Sequence, residues 1–201
     1  MGISVDFFKI DKRKWGKTRP LPFSKDYTNR DKFELALEDF HNALYSKCSI
    51  LNEGTYFFEA ISGLMDAFIQ WPPYQHLKFT HKYKLLDGYC DDALVFTPAE
   101  FSVFVKLLYH FFKFASKNYG EKRKAVSALD LEKMSKSEKK ILELMGEKFL
   151  QDLKNDALED LNLKLAAFMV QDDSDLLPSL KAMAKDAKKA AAHYEYVIAI
   201  R

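Results

Sequence analysis

The sequence predicts an α+β chain: a single helix-dominated domain over residues 1–201, with a small, mainly antiparallel sheet made from N-terminal, central and C-terminal strands. Three observations predict it. Residues 97–117 form a helix that is Phe, Val, Leu or Tyr over most of its circumference. A helix apolar on most sides has to be surrounded by other elements. Both ends of the chain are rich in β-branched and aromatic residues, as strands are. Between them, residues 77–85 alternate large side chains with Lys78, Thr80, Lys82 and Lys84, the period of a half-buried strand.

In chain order, residues 3–10 read as the first strand. Residues 12–23 carry Gly16, Pro20 and Pro22 and read as a loop. Asn29 or Asp31 caps a helix to about residue 47, with Phe33, Leu37, Phe40 and Leu44 on one stripe. Asn52 caps a second helix over residues 55–71, which Pro72 and Pro73 terminate. These two helices predict an antiparallel hairpin. The lysine-bearing strand at 77–85 follows, then a turn at Asp87-Gly88 and a brief strand at 93–96. Thr97, Pro98 and Glu100 give the central helix a cap, a proline at its first position and a capping-box acid.

Further helices are expected at 137–154, capped by Ser135 or Ser137, and at 156–170, with Leu158, Leu161, Leu165 and Phe168 facing inward. Residues 122–170 read as a helical subdomain or insertion within the single domain. A last helix runs from Pro178 to about residue 192. Its small face, Ala184, Ala187 and Ala191, allows a neighbour to approach closely. Residues 194–200 (YEYVIAI) form the C-terminal strand.

The composition is that of a folded globular chain, 48% hydrophobic and 30% charged. Aromatics reach 14% and suit both cores and interfaces. The net charge of +2 carries no concentrated basic surplus, so nucleic acid is not the expected partner. Cys48 and Cys90 stand far apart without Cys-x-x-Cys spacing, which suits a reducing cytoplasm. No segment offers a secretory leader or a long uncharged apolar run, so no membrane association is expected.

No phosphate-binding Gly-rich loop, dinucleotide fingerprint, His-Glu-x-x-His or Gly-x-Ser-x-Gly occurs, and no cofactor or metal is expected. The strongest candidate binding residues are Tyr89, Asp91 and Asp92 at the junction before the central helix, with His81 and Tyr83 on the preceding strand. Loops at such junctions hold side chains in clefts, and two adjacent carboxylates can work as acid and base or hold a cation. Their plainer reading is a polar turn.

Glu38 and His41 share a helix face, but a di-iron bundle needs a second such pair, so a solvated face is preferred. His76 and His81, five apart, point to opposite faces of one strand. The basic run Lys9, Lys12, Arg13, Lys14, Lys17 and Arg19 surrounds Trp15 and could meet phosphates. Asp6 and Asp11 dilute it, and a solvated loop is preferred. Along the central helix, Ser102, Lys106, His110, Lys113 and Lys117 make one polar stripe. It reads as a solvated face, with an anion-facing groove as the alternative.

Three places carry a family resemblance: the opening MGISVDFFKID, the junction ALVFTPAEF, and the closing LLPSLKAMAKDAKKAAAHYEYVIAIR. Together they resemble the uncharacterised bacterial YfbM-like family. The resemblance implies an α+β fold and a small bacterial cytosolic protein, and it transfers no functional residue. The functional expectation is a non-catalytic binding or interaction protein with a protein partner, an immunity- or antitoxin-like role being one concrete form. The alternatives are an enzyme acting on a small polar substrate at the 89–100 junction, and a weak nucleic-acid binder through residues 9–19. Oligomeric state is not legible in the sequence.

Overall fold

A computed structural model describes residues 5–15, 48–54, 57–80, 92–118, 132–155, 157–158 and 161–200. The elements are β1 (Val5–Asp11), α1 (Lys12–Trp15), β2 (Cys48–Gly54), α2 (Phe57–Gln70), a 3₁₀ turn (Pro72–Tyr74), β3 (Asp92–Phe96), α3 (Pro98–Asn118), α4 (Lys136–Asn155), α5 (Leu163–Asp172), α6 (Leu176–Lys189) and β4 (Tyr194–Ile200). The chain is α+β and helix-dominated, with a small antiparallel sheet. It divides into two compact units. One is drawn from Met1–Thr55, Leu77–Pro98 and Ala190–Arg201, the other from Tyr56–His76 and Ala99–Lys189.

The first unit holds the sheet, in the order β2-β1-β4-β3. The two chain ends thus lie side by side at its centre, Phe7 opposite Ile198 and Val5 opposite Ile200. Neighbours of opposite facing are buried together, Phe7 with Phe8 and Val197 with Ile198, so both faces are covered along the middle of β1 and β4, while Lys9, Tyr194, Glu195 and Ile200 are part-exposed. β3 pairs with β4, Ala93 opposite Ala199 and Val95 opposite Val197.

Among its described residues, the lysine-bearing strand expected at 77–85 meets this sheet through a bridge from Phe79 to Leu94, backed by the Thr80 amide donating to the Ala93 carbonyl at 2.8 Å. Residues 81–85 lie outside the described residues, as does the helix expected before residue 47.

β2 is a correction. Where a helix end, a short loop and an Asn52 cap were expected, Cys48–Gly54 pairs with β1. Phe7 faces Asn52 and Phe8 faces Ile50, which leaves Leu51 as the extra residue of a bulge. A bulge shifts the alternation by one, and so removes the period-2 signal by which strands are read. The short loop expected between the two helices is therefore a strand. The loop expected from residue 12 is likewise replaced at its start by the single helical turn α1.

The second unit is helical. α2 buries Phe57, Ala60, Ile61, Leu64, Met65 and Phe68. Phe57 meets Phe112 with ring centroids 5.4 Å apart, and Phe68 meets Phe104 at 5.0 Å. Contacts advance along α2 while they retreat along α3, so the two helices run antiparallel. α3 is enclosed as its composition requires: Phe104, Leu107, Leu108 and Phe111 are all inaccessible to water. α2 also packs on α5, and α5 on α6.

α4 is capped by Ser135. The Glu138 amide donates to Ser135 Oγ at 3.3 Å, and the Ser135 amide donates to Glu138 Oε2 at 2.7 Å, a reciprocal capping box. The helix does not run straight. At Gly146 the backbone adopts φ 83°, ψ 174°, a region essentially reserved for glycine. Lys154 Nζ reaches Glu138 Oε1 at 2.8 Å, although sixteen residues of straight helix would separate them by about 24 Å. α4 is therefore two arms folded back on each other.

The helix expected over 156–170 begins at Leu163, because Asn162 Oδ1 accepts from the Leu165 amide at 2.9 Å and caps it there. Its buried stripe is Leu163, Ala166 and Ala167, not Leu165 and Phe168. Phe168 is 56% exposed.

Candidate functional site

Of the residues singled out from sequence, His81, Tyr83, Tyr89 and Asp91 lie outside the described residues. Asp92 opens β3 opposite Ile200. Glu38 and His41 are also outside. His76 Nε2 meets Glu100 Oε1 at 2.5 Å. Among the described residues, no group of three or more His, Cys, Asp or Glu is placed to hold a metal ion.

Three cations of the basic N-terminal run, Lys9, Lys12 and Arg13, face partners of their own. Arg13 makes a two-pronged contact with Asp11, Nε to Oδ1 at 3.0 Å and Nη2 to Oδ2 at 2.7 Å. That contact, with the Arg13 amide also donating at 3.0 Å, holds the Asp11 carboxyl well below the usual carboxylate range. Lys12 lies 3.6 Å from Glu195. Lys9 sits over the Tyr194 ring, 4.8 Å from its centroid.

The second unit holds a different concentration of charge. On α3, Lys106, His110 and Lys113 recur at i, i+4 and i+7, with Tyr109 beside them. On α6, Lys181, Lys185 and Lys188 recur at the same spacing, with Ala184 between. The first turn of α4 adds Lys136, Ser137 and Lys140. Residues at these spacings share one helix face. All three faces line one cleft of about 610 Å³, within the range of small-molecule sites. Among the described residues, seven lysines from three helices surround it, and no carboxylate is in the lining.

Close packing brings the faces together. Ser102, one turn before Lys106, is buried and donates from Oγ to the Ala184 carbonyl at 2.9 Å. A serine hydroxyl reaches a neighbouring helix's backbone only where that helix presents a small residue. The small face expected on α6 is thus used at Ala184 and Ala187, both buried. Ala191 lies beyond the helix and is exposed.

His110 is half-buried within this array. Its Nδ1 lies 3.4 Å from Ser137 Oγ. Burial pushes its pKa down, and the ammonium groups of Lys140, Lys113 and Lys136 push it the same way, against a smaller opposing effect of Glu143. Lys113 rides 5.8 Å above the Tyr109 ring. Lys140 pairs with Glu143 at 2.5 Å on the exposed side.

The other carboxylate of this helix turn, Glu138, is bound by Lys154 and by the Ser135 cap. Burial works against its ionisation, yet those hydrogen bonds hold its carboxyl below the ordinary glutamate value. The fold-back at Gly146 brings Lys154 to Glu138, so this acid is engaged by a lysine that does not line the cleft.

Chemically, the arrangement is an electropositive concavity with hydroxyl, imidazole and ammonium groups and long aliphatic lysine stems in its walls. Crowded ammonium groups repel one another, and an anion placed among them relieves that repulsion. The α3 stripe was visible in the sequence. The matching i, i+4, i+7 stripe on α6 was the additional signal, but each stripe alone is indistinguishable from a solvated face. Comparison of the chain with protein-family models, with curated proteins and with solved structures finds no match.

Proposed function

We propose that this protein is a non-catalytic binding protein that takes an anionic partner into the lysine-lined cleft formed by α3, α4 and α6. The observation carrying this reading is the convergence of seven lysines on one cavity, in a chain whose net charge is only +2. A nearly neutral chain that gathers lysines at one place, with Lys140 paired to Glu143 at its exposed side, accumulates mutual repulsion there, which a ligand of opposite charge relieves. The interaction-protein reading of the sequence is kept and its surface is moved to this cleft. A reducing cytoplasmic setting, supported by the two widely spaced cysteines, and kinship with the YfbM-like family belong to the same proposal. Among the described residues, no helix is long and apolar enough to cross a membrane.

The test compares two double charge reversals of equal net charge on a polyanion column under a salt gradient. One is Lys140→Glu with Lys185→Glu, inside the cleft. The other is Lys148→Glu with Lys164→Glu, exposed positions outside its lining. The cleft variant is expected to elute at distinctly lower salt, and the outside variant close to the parent chain. Equal displacement of both would show that only net charge matters and would overturn the proposal.

A further inference from the structure

Resting on the anion-binding reading of this cleft, we infer that its ligand is a compact molecule carrying several phosphate groups. Four observations favour that class over a carboxylate-rich peptide or a nucleic-acid strand.

The first is the kind of cation. Among the described residues of the lining, every cation is lysine and none is arginine. Planar carboxylates are matched by the planar fork of arginine, which binds them in pairs of parallel hydrogen bonds. Lysine offers a point charge with three rotatable donors. A set of lysines approaching from several directions fits oxygens arranged tetrahedrally around phosphorus.

The second is number against space. Seven lysines line about 610 Å³, room for a small molecule rather than a duplex, with the Lys140 ammonium held by Glu143 at its exposed side. Matching that density of positive charge in such a volume takes a ligand with several dianionic groups close together. A single phosphate leaves most of the lysines unanswered.

The third is the scarcity of stacking surface. Strand-binding grooves place successive aromatic rings under the bases. Among the described residues the lining offers Tyr109 as its one phenyl-type ring, with Lys113 already over it at 5.8 Å. The phosphates, not bases, would carry the binding.

The fourth is the end of the cleft at α4. Its first turn contributes Ser137, whose hydroxyl lies 3.4 Å from His110 Nδ1, in the midst of the lysines. Hydroxyl and imidazole groups there add directional donors that a purely electrostatic patch lacks.

The experiment is calorimetric titration of the full chain with four probes: inorganic tripolyphosphate, inositol hexakisphosphate, a short poly-glutamate peptide and a short oligothymidylate. Saturable binding of one molecule per chain by either phosphate probe, at least about tenfold tighter than the peptide or the oligonucleotide, is expected. The two phosphate probes separate a linear chain from a ring skeleton, and either result supports the class.

Lys106→Ala and Lys185→Ala are each expected to weaken the preferred probe about fivefold, and together about twenty-fivefold, with unchanged thermal melting. Lys148→Ala should leave the affinity unaltered. Tight binding of the peptide or the oligonucleotide with weak binding of both phosphate probes would overturn this inference while leaving the anion-binding reading intact. Failure of all four probes would overturn both.

Discussion

Replacing Gly146 by alanine tests the helical unit at its most constrained point. At φ 83°, ψ 174° an L-residue with a Cβ is strained, at a cost of about 1–3 kcal/mol. A Cβ built there also lies 2.8 Å from Trp71 Cη2, closer than carbon atoms approach, and displacing a half-buried indole costs about 1 kcal/mol or more. Together these give a loss of about 2–4 kcal/mol. For a chain of this size that lowers the melting temperature by roughly 4–16 °C.

The assay is thermal and urea unfolding of Gly146→Ala, of Trp71→Leu and of the double variant. If both terms act, Trp71→Leu removes the overlap but not the backbone strain. The double variant should then lose about 1 kcal/mol less than the sum of the singles. The same substitution should loosen the Lys154–Glu138 contact, which depends on the fold-back. A Gly146→Ala chain melting within about 1 °C of the parent would refute the reversal at this residue.

Other outcomes follow from single contacts. Ser102→Ala should cost about 1 kcal/mol by removing the buried hydrogen bond to Ala184, and Ala184→Leu about 1–3 kcal/mol by forcing α3 and α6 apart, both read by urea unfolding. Glu138→Gln should cost about 1–2 kcal/mol near neutral pH. Because the Glu138 pKa is depressed on folding, its contribution is full above its ordinary value of 4.5 and fades as pH falls through the folded value. The variant should therefore show a shallower acid limb in stability against pH. His110 has the opposite kind of site: its folded pKa lies below its ordinary 6.5, so the unfolded chain binds the extra proton between the two values. Stability should rise with pH across that window and be complete above about 6.5, and His110→Gln should flatten the slope.

Elements whose signal is local were legible in the sequence. The span of α3 was set by Pro98 at its start and its nearly continuous apolar surface. β4 was read end to end from YEYVIAI. β2 was missed because Leu51 bulges, and its strand state comes from pairing with β1, more than forty residues earlier. The stripe of α5 was assigned to the wrong face because its phase was set by Leu158 and Leu161, which precede the cap at Asn162 and are not helical.

The site was hidden for a related reason. Lys106, His110 and Lys113 were seen as one stripe, but Lys181, Lys185 and Lys188 lie some seventy residues away. Only the buried Ser102–Ala184 contact and the capped first turn of α4 make them walls of the same cleft. Local pattern predicts faces. Which faces meet is set by packing between helices distant in sequence.

The most direct measurement follows the His110 ring by NMR across pH, without and with tripolyphosphate. The charges bearing on it are Lys113 on α3 and Lys136, Lys140 and Glu143 on α4, and it shares the cleft lining with Lys106 on α3 and Lys181, Lys185 and Lys188 on α6. Seated phosphates offset those ammonium charges, so the ring should titrate at higher pH with the anion bound than without it, and the complex should take up protons as it forms. A His110 titration curve that does not move at saturating tripolyphosphate would contradict the claim that anions bind among these lysines.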